Sequence, residues 1–364
     1  MEGITIGFVL SGILIGLAIG FVLQRGRFCM NTAFRDTIFI QDQTLFRAYL
    51  IALVIMILGA NGLKDMGAMD LFPQPFWPVA NILGGYLFGL GMVLAGGCGS
   101  GVWYKLGEGQ FNAVVAITGF FVGIGATTNG ILNPVYKAIR GIGVADGNFS
   151  VPIAGETFPT LYNVIGSSAG IKWGIIAAVV IGLTIYIFKE NPLKVKKPNK
   201  GYAWPLTGVL VGLIGIIAFW ASHVWEGFPR GLSFTTPTGE IFFTILTGNA
   251  NAKIFPMYDL GPFKITWAPL YIIAVPLGAY ISAKMLKEFK WKVPPVDELL
   301  TVFGGSLLMG FGAVLGGGCN VGQALTGAST LSIGSILAAV FIILGNWTMV
   351  YFKFIKPMND MDLD

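Results

Sequence analysis

Residues 89–98 read Gly-Leu-Gly-Met-Val-Leu-Ala-Gly-Gly-Cys, and residues 310–319 read Gly-Phe-Gly-Ala-Val-Leu-Gly-Gly-Gly-Cys. The two stretches share four glycine positions, a Val-Leu pair and a final cysteine at a constant offset of 221 residues. Small residues are common where helices pack within lipid, but that preference does not fix a register over a whole segment. We therefore interpret the two stretches as copies of one internal repeat.

A weaker match joins residues 24–29, Gln-Arg-Gly-Arg-Phe-Cys, to residues 229–234, Pro-Arg-Gly-Leu-Ser-Phe, where the second copy has no cysteine. An odd number of apolar crossings separates the first helix from its counterpart, so the copies are expected to run in opposite directions. Inverted repeats are typical of transporters, which bind substrate near the membrane midplane. Within a single membrane domain, we assign the first repeat and a connector helix to residues 1–190. The second repeat takes residues 200–364, after a basic linker at 189–201.

The composition excludes a protein that folds in water alone. The chain is 54% hydrophobic and only 11% charged, with a mean hydropathy of +0.74. Its apolar residues lie in blocks of roughly 18–20, the length that a helix needs to cross ~30 Å of hydrocarbon. We predict an all-α polytopic membrane protein with short re-entrant helices and about nine transmembrane helices, at 4–23, 45–63, 79–96, 111–130, 171–188, 204–222, 267–286, 299–316 and 331–352.

The distribution of basic residues predicts the orientation of the chain. Of 23 Lys and Arg residues, sixteen fall in one set of alternate loops and seven in the other. Because cytoplasmic loops are enriched in Lys and Arg, we expect a cell (inner) membrane protein with its N-terminus outside and its C-terminus in the cytoplasm. The net charge of +5 then needs no nucleic-acid partner, since an anionic lipid surface accounts for it.

The chain has three cysteines, Cys29, Cys98 and Cys319, and each follows a turn at the end of an apolar block. Stretches able to form short helices come next, at 30–40, 99–106 and 320–328. A cysteine at the start of such a helix lies beside free N–H groups and the positive end of the helix dipole, which together form an anion site. The loop after residue 316 has no charged residue, which is typical of a re-entrant segment.

We predict that these thiols line a substrate path. The residues expected to support their turns are Gly26, Gly96, Gly97, Gly99, Gly317, Gly318, Asn320 and Gln323. Arg25 and Arg27 are candidates for attracting an anion, although arginines also mark the cytoplasmic ends of helices. The alternatives for the cysteines are apolar filling and a disulfide that leaves one thiol free. The sequence predicts no metal site and no cofactor. Tryptophans near block ends are expected at the membrane interfaces, among them Trp77, Trp103 and Trp267.

These motifs resemble the YeeE/YedE family of sulfur-transport permeases, which includes TsuA-like thiosulfate transporters. The resemblance rests on residues 26–29 with 33–36, on residues 96–99, and on residues 316–319 with Gly322. It implies an hourglass-shaped protein of inverted repeats with re-entrant helices, in which thiosulfate passes between three thiols. Those roles would fall on Cys29, Cys98 and Cys319. It also implies a TusA-like sulfur-carrier protein as a cytoplasmic partner.

Two classes of function follow from the thiols. The first is a permease, not an enzyme, that takes up a small sulfur-containing anion, most simply thiosulfate, with a selenium compound or another sulfur species as the alternative substrate. The second is a membrane-embedded thiol sulfurtransferase, in which one cysteine holds a persulfide. The pairing of Cys98 with Cys319 across the repeat favours the permease, because an enzyme needs no such symmetry.

Overall fold

The computed structural model describes residues 5–145, 148–166, 168–189, 200–252 and 254–361. Helices dominate these residues. In chain order the elements are α1 (Ile6–Arg25), α2 (Met30–Phe39), α3 (Thr44–Asp65), α4 (Pro78–Leu94), α5 (Gly99–Gly107), α6 (Phe111–Thr128), α7 (Asn133–Gly141), α8 (Leu161–Ile165), α9 (Ala169–Phe188), α10 (Trp204–Glu226), α11 (Thr236–Thr247), β1 (Tyr258–Leu260), β2 (Phe263–Ile265), α12 (Ala268–Met285), α13 (Val296–Leu315), the π-helix π1 (Val321–Gly327), α14 (Ile333–Val350), π2 (Tyr351–Ile355) and α15 (Lys356–Met361).

The predicted polytopic fold is confirmed. Within the described residues, nine helical segments are long and apolar enough to cross a membrane, and each overlaps one predicted block. The three predicted short helices are also present as α2, α5 and π1, the last being a π-helix. Residues 190–199 of the predicted linker lie outside the described residues.

Five elements in the two long connections were not predicted from the sequence. Helix α11 follows α10, and the antiparallel strands β1 and β2 follow α11. Helices α7 and α8 lie in the long connection between α6 and α9. These elements have polar or short sequences, so the hydropathy that identifies membrane spans does not distinguish them from loops.

The packing of the helices follows the sequence repeat. The repeat matches α1 with α10, α3 with α12, α4 with α13, and α6 with α14. In the structure α1 packs against α12 and α3 against α10, while α4 packs against α14 and α6 against α13. Exchanging the two copies of the repeat turns the α1–α12 contact into the α10–α3 contact, and the α4–α14 contact into the α13–α6 contact. Helix α9 packs against α3 and α8, consistent with the proposed connector.

Glycines bring the paired helices into backbone contact. A Cβ atom on Gly16 would lie 2.1 Å from the carbonyl oxygen of Tyr271, and one on Gly20 would lie 2.0 Å from that of Val275. The residue numbers rise together along the two helices, so α1 and α12 run parallel. Such close approach is open to glycine because it has no side chain, and it maximises the van der Waals contact that holds helices together in lipid.

Matched helices run in opposite directions. Gly7, at the start of α1, lies against Trp225 near the end of α10, while Gly26 lies against Thr207 near the start of α10. The same is true of α4 and α13, because Gly84 faces Gly316 and the later Gly91 faces Gly305. The expected inversion is therefore present in both pairs. The division of the chain into repeats at 1–190 and 200–364 stays a prediction.

We expect Gly20→Ala to destabilise the protein, because the added methyl group would overlap the Val275 carbonyl. Overpacking of this kind costs about 1–3 kcal/mol. The measurement is the melting temperature of the protein in mild detergent, followed by size-exclusion chromatography after heating. Gly182→Ala is the matched control, since nothing lies within 4 Å of a Cβ atom at that helical position. Equal melting temperatures for the two variants would contradict the packing argument.

Candidate functional site

The three thiols lie around the first turn of α5. Cys29 and Cys98 are the residues that precede α2 and α5, and Cys319 lies two residues before π1. All three side chains are buried and free, with exposed fractions of 2% or less. The sulfur atoms of Cys29 and Cys98 are 3.6 Å apart, which allows an S–H hydrogen bond and excludes a disulfide in this state.

Two glycines make room for this cluster. A Cβ atom on Gly101 would lie 2.8 Å from the sulfur of Cys29 and 3.3 Å from that of Cys98. A Cβ atom on Gly99 would lie 3.5 Å from the sulfur of Cys319. The absence of a side chain at Gly101 therefore lets Cys29 and Cys98 approach α5, and a Cβ atom on Gly99 would also lie only 3.3 Å from the Cβ atom of Cys319. Gly99 was predicted as a supporting residue, whereas Gly101 was not.

The thiols of the two repeats accept equivalent hydrogen bonds. The N–H of Gly101 donates to the sulfur of Cys98 over 3.4 Å, and the N–H of Gly322 donates to that of Cys319 over 3.5 Å. A further N–H, that of Phe234, donates to Cys319 over 3.4 Å. Phe234 occupies the position that matches Cys29 in the weaker repeat, so that match was the signal for this residue.

The glycine turns that precede the thiols have the same conformation in both copies. Gly96 and Gly317, which are matched positions, have φ angles of +69° and +84°. These values lie in the left-handed region, where glycine is strongly favoured. The predicted residue Gln323 supports the second turn, because its side-chain amide donates to the Gly316 carbonyl over 2.9 Å. The Asn81 amide donates to the same carbonyl over 3.0 Å.

Asn320 is a buried polar residue beside Cys319. Its exposed fraction is 0%, and neither its amide nitrogen nor its amide oxygen has a hydrogen-bond partner within the described chain. An unpaired buried amide costs free energy, and such groups are rare unless a ligand or water pairs with them. Thr235, next to Phe234, has an unpaired buried hydroxyl for which the same reasoning holds.

A basic cavity of about 630 Å³, the lysine cavity, lies on one side of the thiols. Its wall includes Thr32 of α2 and Tyr104 of α5, the helices that begin after Cys29 and Cys98. Six basic residues line it, namely Arg27, Lys105, Lys200, Lys287, Lys290 and Lys292.

Two carboxylates, Glu108 and Glu288, also line the lysine cavity. Arg27 pairs with Glu288 over 2.8 Å, and the Gln24 amide donates to both glutamates, over 3.3 and 3.4 Å. Burial raises the pKa of Glu108 above its ordinary value. Arg25, the other predicted anion attractor, instead lies over the rings of Phe21 and Tyr202.

A second cavity of about 350 Å³, the arginine cavity, is lined by Arg140, Arg230 and several aromatic rings. It reaches Gly322, whose N–H contacts Cys319. It opens where α10 ends, whereas the lysine cavity lies where α10 begins, so the two cavities are at opposite ends of this helix. The thiols therefore lie between the two cavities.

The two arginines of this cavity differ in their surroundings. Burial alone would lower the pKa of Arg230, but the adjacent carboxylates of Glu226 and Glu240 raise it above its ordinary value. Burial lowers the pKa of Arg140, which pairs with no carboxylate among the described residues. Sequence reasoning missed Arg140, because α7 lies in a polar connection that carries no recognisable motif.

The interpretation of Trp77, Trp103 and Trp267 as interface residues was wrong. Their exposed fractions are 6% or less, and each indole N–H donates a hydrogen bond inside the protein, to Phe149, Thr238 and Ser11 respectively. Position near a block end does not separate a tryptophan in the headgroup region from one that packs beneath a loop.

We expect mild oxidation to link Cys29 to Cys98 while Cys319 stays free, because the sulfurs of the first two are already in contact. Peptide mass spectrometry after alkylation of the remaining thiols measures the product. Gly101→Ala should suppress the link, since its methyl group would separate the two sulfurs. Gly304→Ala is the control, because nothing lies within 4 Å of its added methyl group. A dominant link through Cys319 would show that the described arrangement of thiols is incorrect.

Comparisons with known proteins agree with these features. A family profile described as sulphur transport matches residues 25–348. The chain is 36% identical over 350 residues to a thiosulfate transporter TsuA of Spirochaeta thermophila, covering 94% of this chain and 98% of the relative. It is 29% identical over 367 residues to TsuA of Escherichia coli, covering 96% of each chain. A probable transporter YedE of Escherichia coli is 34% identical over 98 residues, or 27% of this chain and 24% of the relative. The chain therefore belongs to the sulphur transport family.

Proposed function

We propose that this protein is a permease that takes up thiosulfate along a path formed by Cys29, Cys98 and Cys319. The observation that carries the proposal is the position of three buried thiols between two cavities. The names of the two relatives that match nearly the whole chain support thiosulfate as the substrate.

The hydrogen bonds of the thiols suit a soft anion. Backbone N–H groups donate to the sulfurs of Cys98 and Cys319, and these bonds do not use the thiol protons. An S–H group is a weak donor, and the terminal sulfur of thiosulfate is a correspondingly soft acceptor. Weak binding at each thiol favours rapid transfer, which a conducting path requires. A neutral thiol suits this role, since a bound anion opposes ionisation.

The geometry supports an order of contact. Cys319 adjoins the arginine cavity through Gly322. Cys29 and Cys98 precede helices whose residues Thr32 and Tyr104 line the lysine cavity. We infer that substrate meets Cys319 first and the Cys29–Cys98 pair second. Because the thiols are buried, each transfer requires a local movement of the short helices that carry them.

The excess of Lys and Arg on one side supports an inner-membrane location with the lysine cavity facing the cytoplasm and the N-terminus outside. Six cations against two carboxylates would draw an anion through the protein and offer an acidic partner a basic surface. A TusA-like sulfur-carrier protein is the partner that we propose for this surface. Arg27 belongs to the cavity wall and fits the proposed role in anion attraction, which the position of Arg25 does not support.

We expect replacement of any one of the three cysteines by alanine to reduce thiosulfate uptake by roughly 2- to 12-fold, since loss of one hydrogen bond costs about 0.5–1.5 kcal/mol. Serine should restore part of the activity, because its hydroxyl keeps a donor of similar size. The measurement is uptake of sulfur-labelled thiosulfate by cells without other thiosulfate transporters, at equal membrane abundance. Ser306→Ala is the matched control, since its buried hydroxyl donates to the Val302 carbonyl of its own helix and to no other described residue.

Uptake by the alanine variants at the rate of the parent would contradict the proposal that the three thiols form the substrate path. Absence of uptake by a folded parent would exclude thiosulfate and lead to selenium compounds or other sulfur anions. Mass measurement of the protein after exposure to thiosulfate tests the sulfurtransferase. A stable gain of one sulfur on a cysteine would support the enzyme, whereas an unmodified protein that moves substrate supports the permease.

A further inference from the structure

Two cations line the arginine cavity within the described chain, but only one has a charge that is not neutralised. Arg230 lies 3.2 Å from Glu226 and 2.8 Å from Glu240. Because two carboxylates contact its guanidinium, the positive charge of Arg230 is already neutralised inside the protein. Arg230 is therefore a structural residue whose hydrogen bonds are already used.

Arg140 has the opposite properties. It forms no ion pair in the described part of the chain, and its Nε atom is buried without a hydrogen-bond partner. Its Nη1 atom donates to the hydroxyl of Tyr136. The guanidinium carbon lies 3.3 Å from the centroid of the Trp77 ring, where a cation–π interaction offsets part of the cost of desolvation. A partly buried cation that contacts no carboxylate among the described residues remains costly, so a bound anion would stabilise it.

The position of Arg140 relates it directly to the thiols. A Cβ atom on Gly317 would lie 3.7 Å from Nη2 of Arg140, so the guanidinium faces the turn that leads to Cys319. Two hydrogen bonds hold the Trp77 ring beneath the guanidinium. The Trp77 N–H donates to Asn81 over 2.9 Å, and the indole N–H donates to the Phe149 carbonyl over 2.8 Å. A ligand held by Arg140 would thus lie close to the start of the thiol path.

We propose that Arg140 is the capture residue of the arginine cavity and binds the sulfonate end of the entering anion, leaving its terminal sulfur directed toward Cys319. This inference rests on the proposed function and deepens it by separating recognition of the two ends of the substrate. A guanidinium presents a planar fork of N–H donors that matches paired oxyanion oxygens. The thiols then recognise the soft sulfur.

The separation of roles has a consequence for sulfate. Sulfate presents the same oxygens as thiosulfate to Arg140 but has no terminal sulfur for Cys319. It should therefore compete for the cavity without being transported. Loss of the Arg140 fork should remove this competition together with the affinity for thiosulfate.

The experiment measures initial uptake of labelled thiosulfate against its external concentration. In Arg140→Gln we expect the half-saturating concentration to rise at least roughly tenfold, the loss typical of one charge-assisted contact, with the maximal rate close to that of the parent. Arg140→Lys, which keeps the charge and loses the fork, should be intermediate. Excess sulfate should inhibit the parent competitively and inhibit Arg140→Gln much less.

Lys137→Gln is the matched control, because it removes the same charge from an exposed position on the same helix. A half-saturating concentration in Arg140→Gln equal to that of Lys137→Gln would overturn the proposal, as would a reduced maximal rate alone. If Arg140→Gln does not reach the membrane, Arg140→Lys provides the test instead. A half-saturating concentration in Arg140→Lys equal to that of the parent would contradict a role for the guanidinium.

Binding of labelled sulfate to the purified protein separates this proposal from the proposed function. The parent could transport no thiosulfate and still bind sulfate, while Arg140→Gln binds no sulfate. That result would support the capture site and contradict the proposal of thiosulfate uptake. If the parent and Arg140→Gln bind sulfate equally, the proposed capture site is contradicted, whether or not thiosulfate is transported.

Discussion

The short helices begin inside a membrane-spanning bundle, so their first backbone N–H groups need hydrogen-bond acceptors there. The rest of the site depends on this constraint. Unpaired backbone groups are costly where water is absent, so such helix ends occur only where protein or a lined cavity satisfies them. Here the sulfur atoms do so in part, because the N–H groups of Gly101, Gly322 and Phe234 all donate to cysteine. The same arrangement positions the thiols between the cavities. The sulfur atoms that accept these backbone hydrogen bonds are therefore also the atoms of the proposed substrate path.

Backbone contact at glycine holds this arrangement together. Gly16 and Gly20 let α1 lie against α12, and Gly208 lets α10 approach the Ala48 carbonyl of α3 in the matching way. With the helices this close, small side chains on α5 leave just enough space for sulfur. The symmetry of the scaffold is thus a consequence of the glycine pattern, and the cluster of thiols is a consequence of the scaffold.

The symmetry breaks where the two cavities differ. The first copy has Cys29 where the second has Phe234, so two thiols lie toward the lysine cavity and one toward the arginine cavity. The lysine cavity has several cations, whereas the arginine cavity has one cation that no carboxylate of the described residues neutralises. On the proposed path, an anion would meet a single selective contact at one end and a diffuse positive field at the other.

Much of the fold follows from the sequence alone, because membrane spans are set by the length of apolar blocks and inverted repeats by a shared register. The nine spans, the short helices and the positions of Cys29, Cys98 and Cys319 needed no tertiary information. The tertiary structure decided which side chains meet. The separation of Cys29 and Cys98 by 3.6 Å, the space at Gly101 and the approach of Arg140 to Gly317 depend on how distant helices pack. Local sequence records hydropathy and turns, whereas these contacts join residues far apart in the chain, and only the packed bundle brings them together.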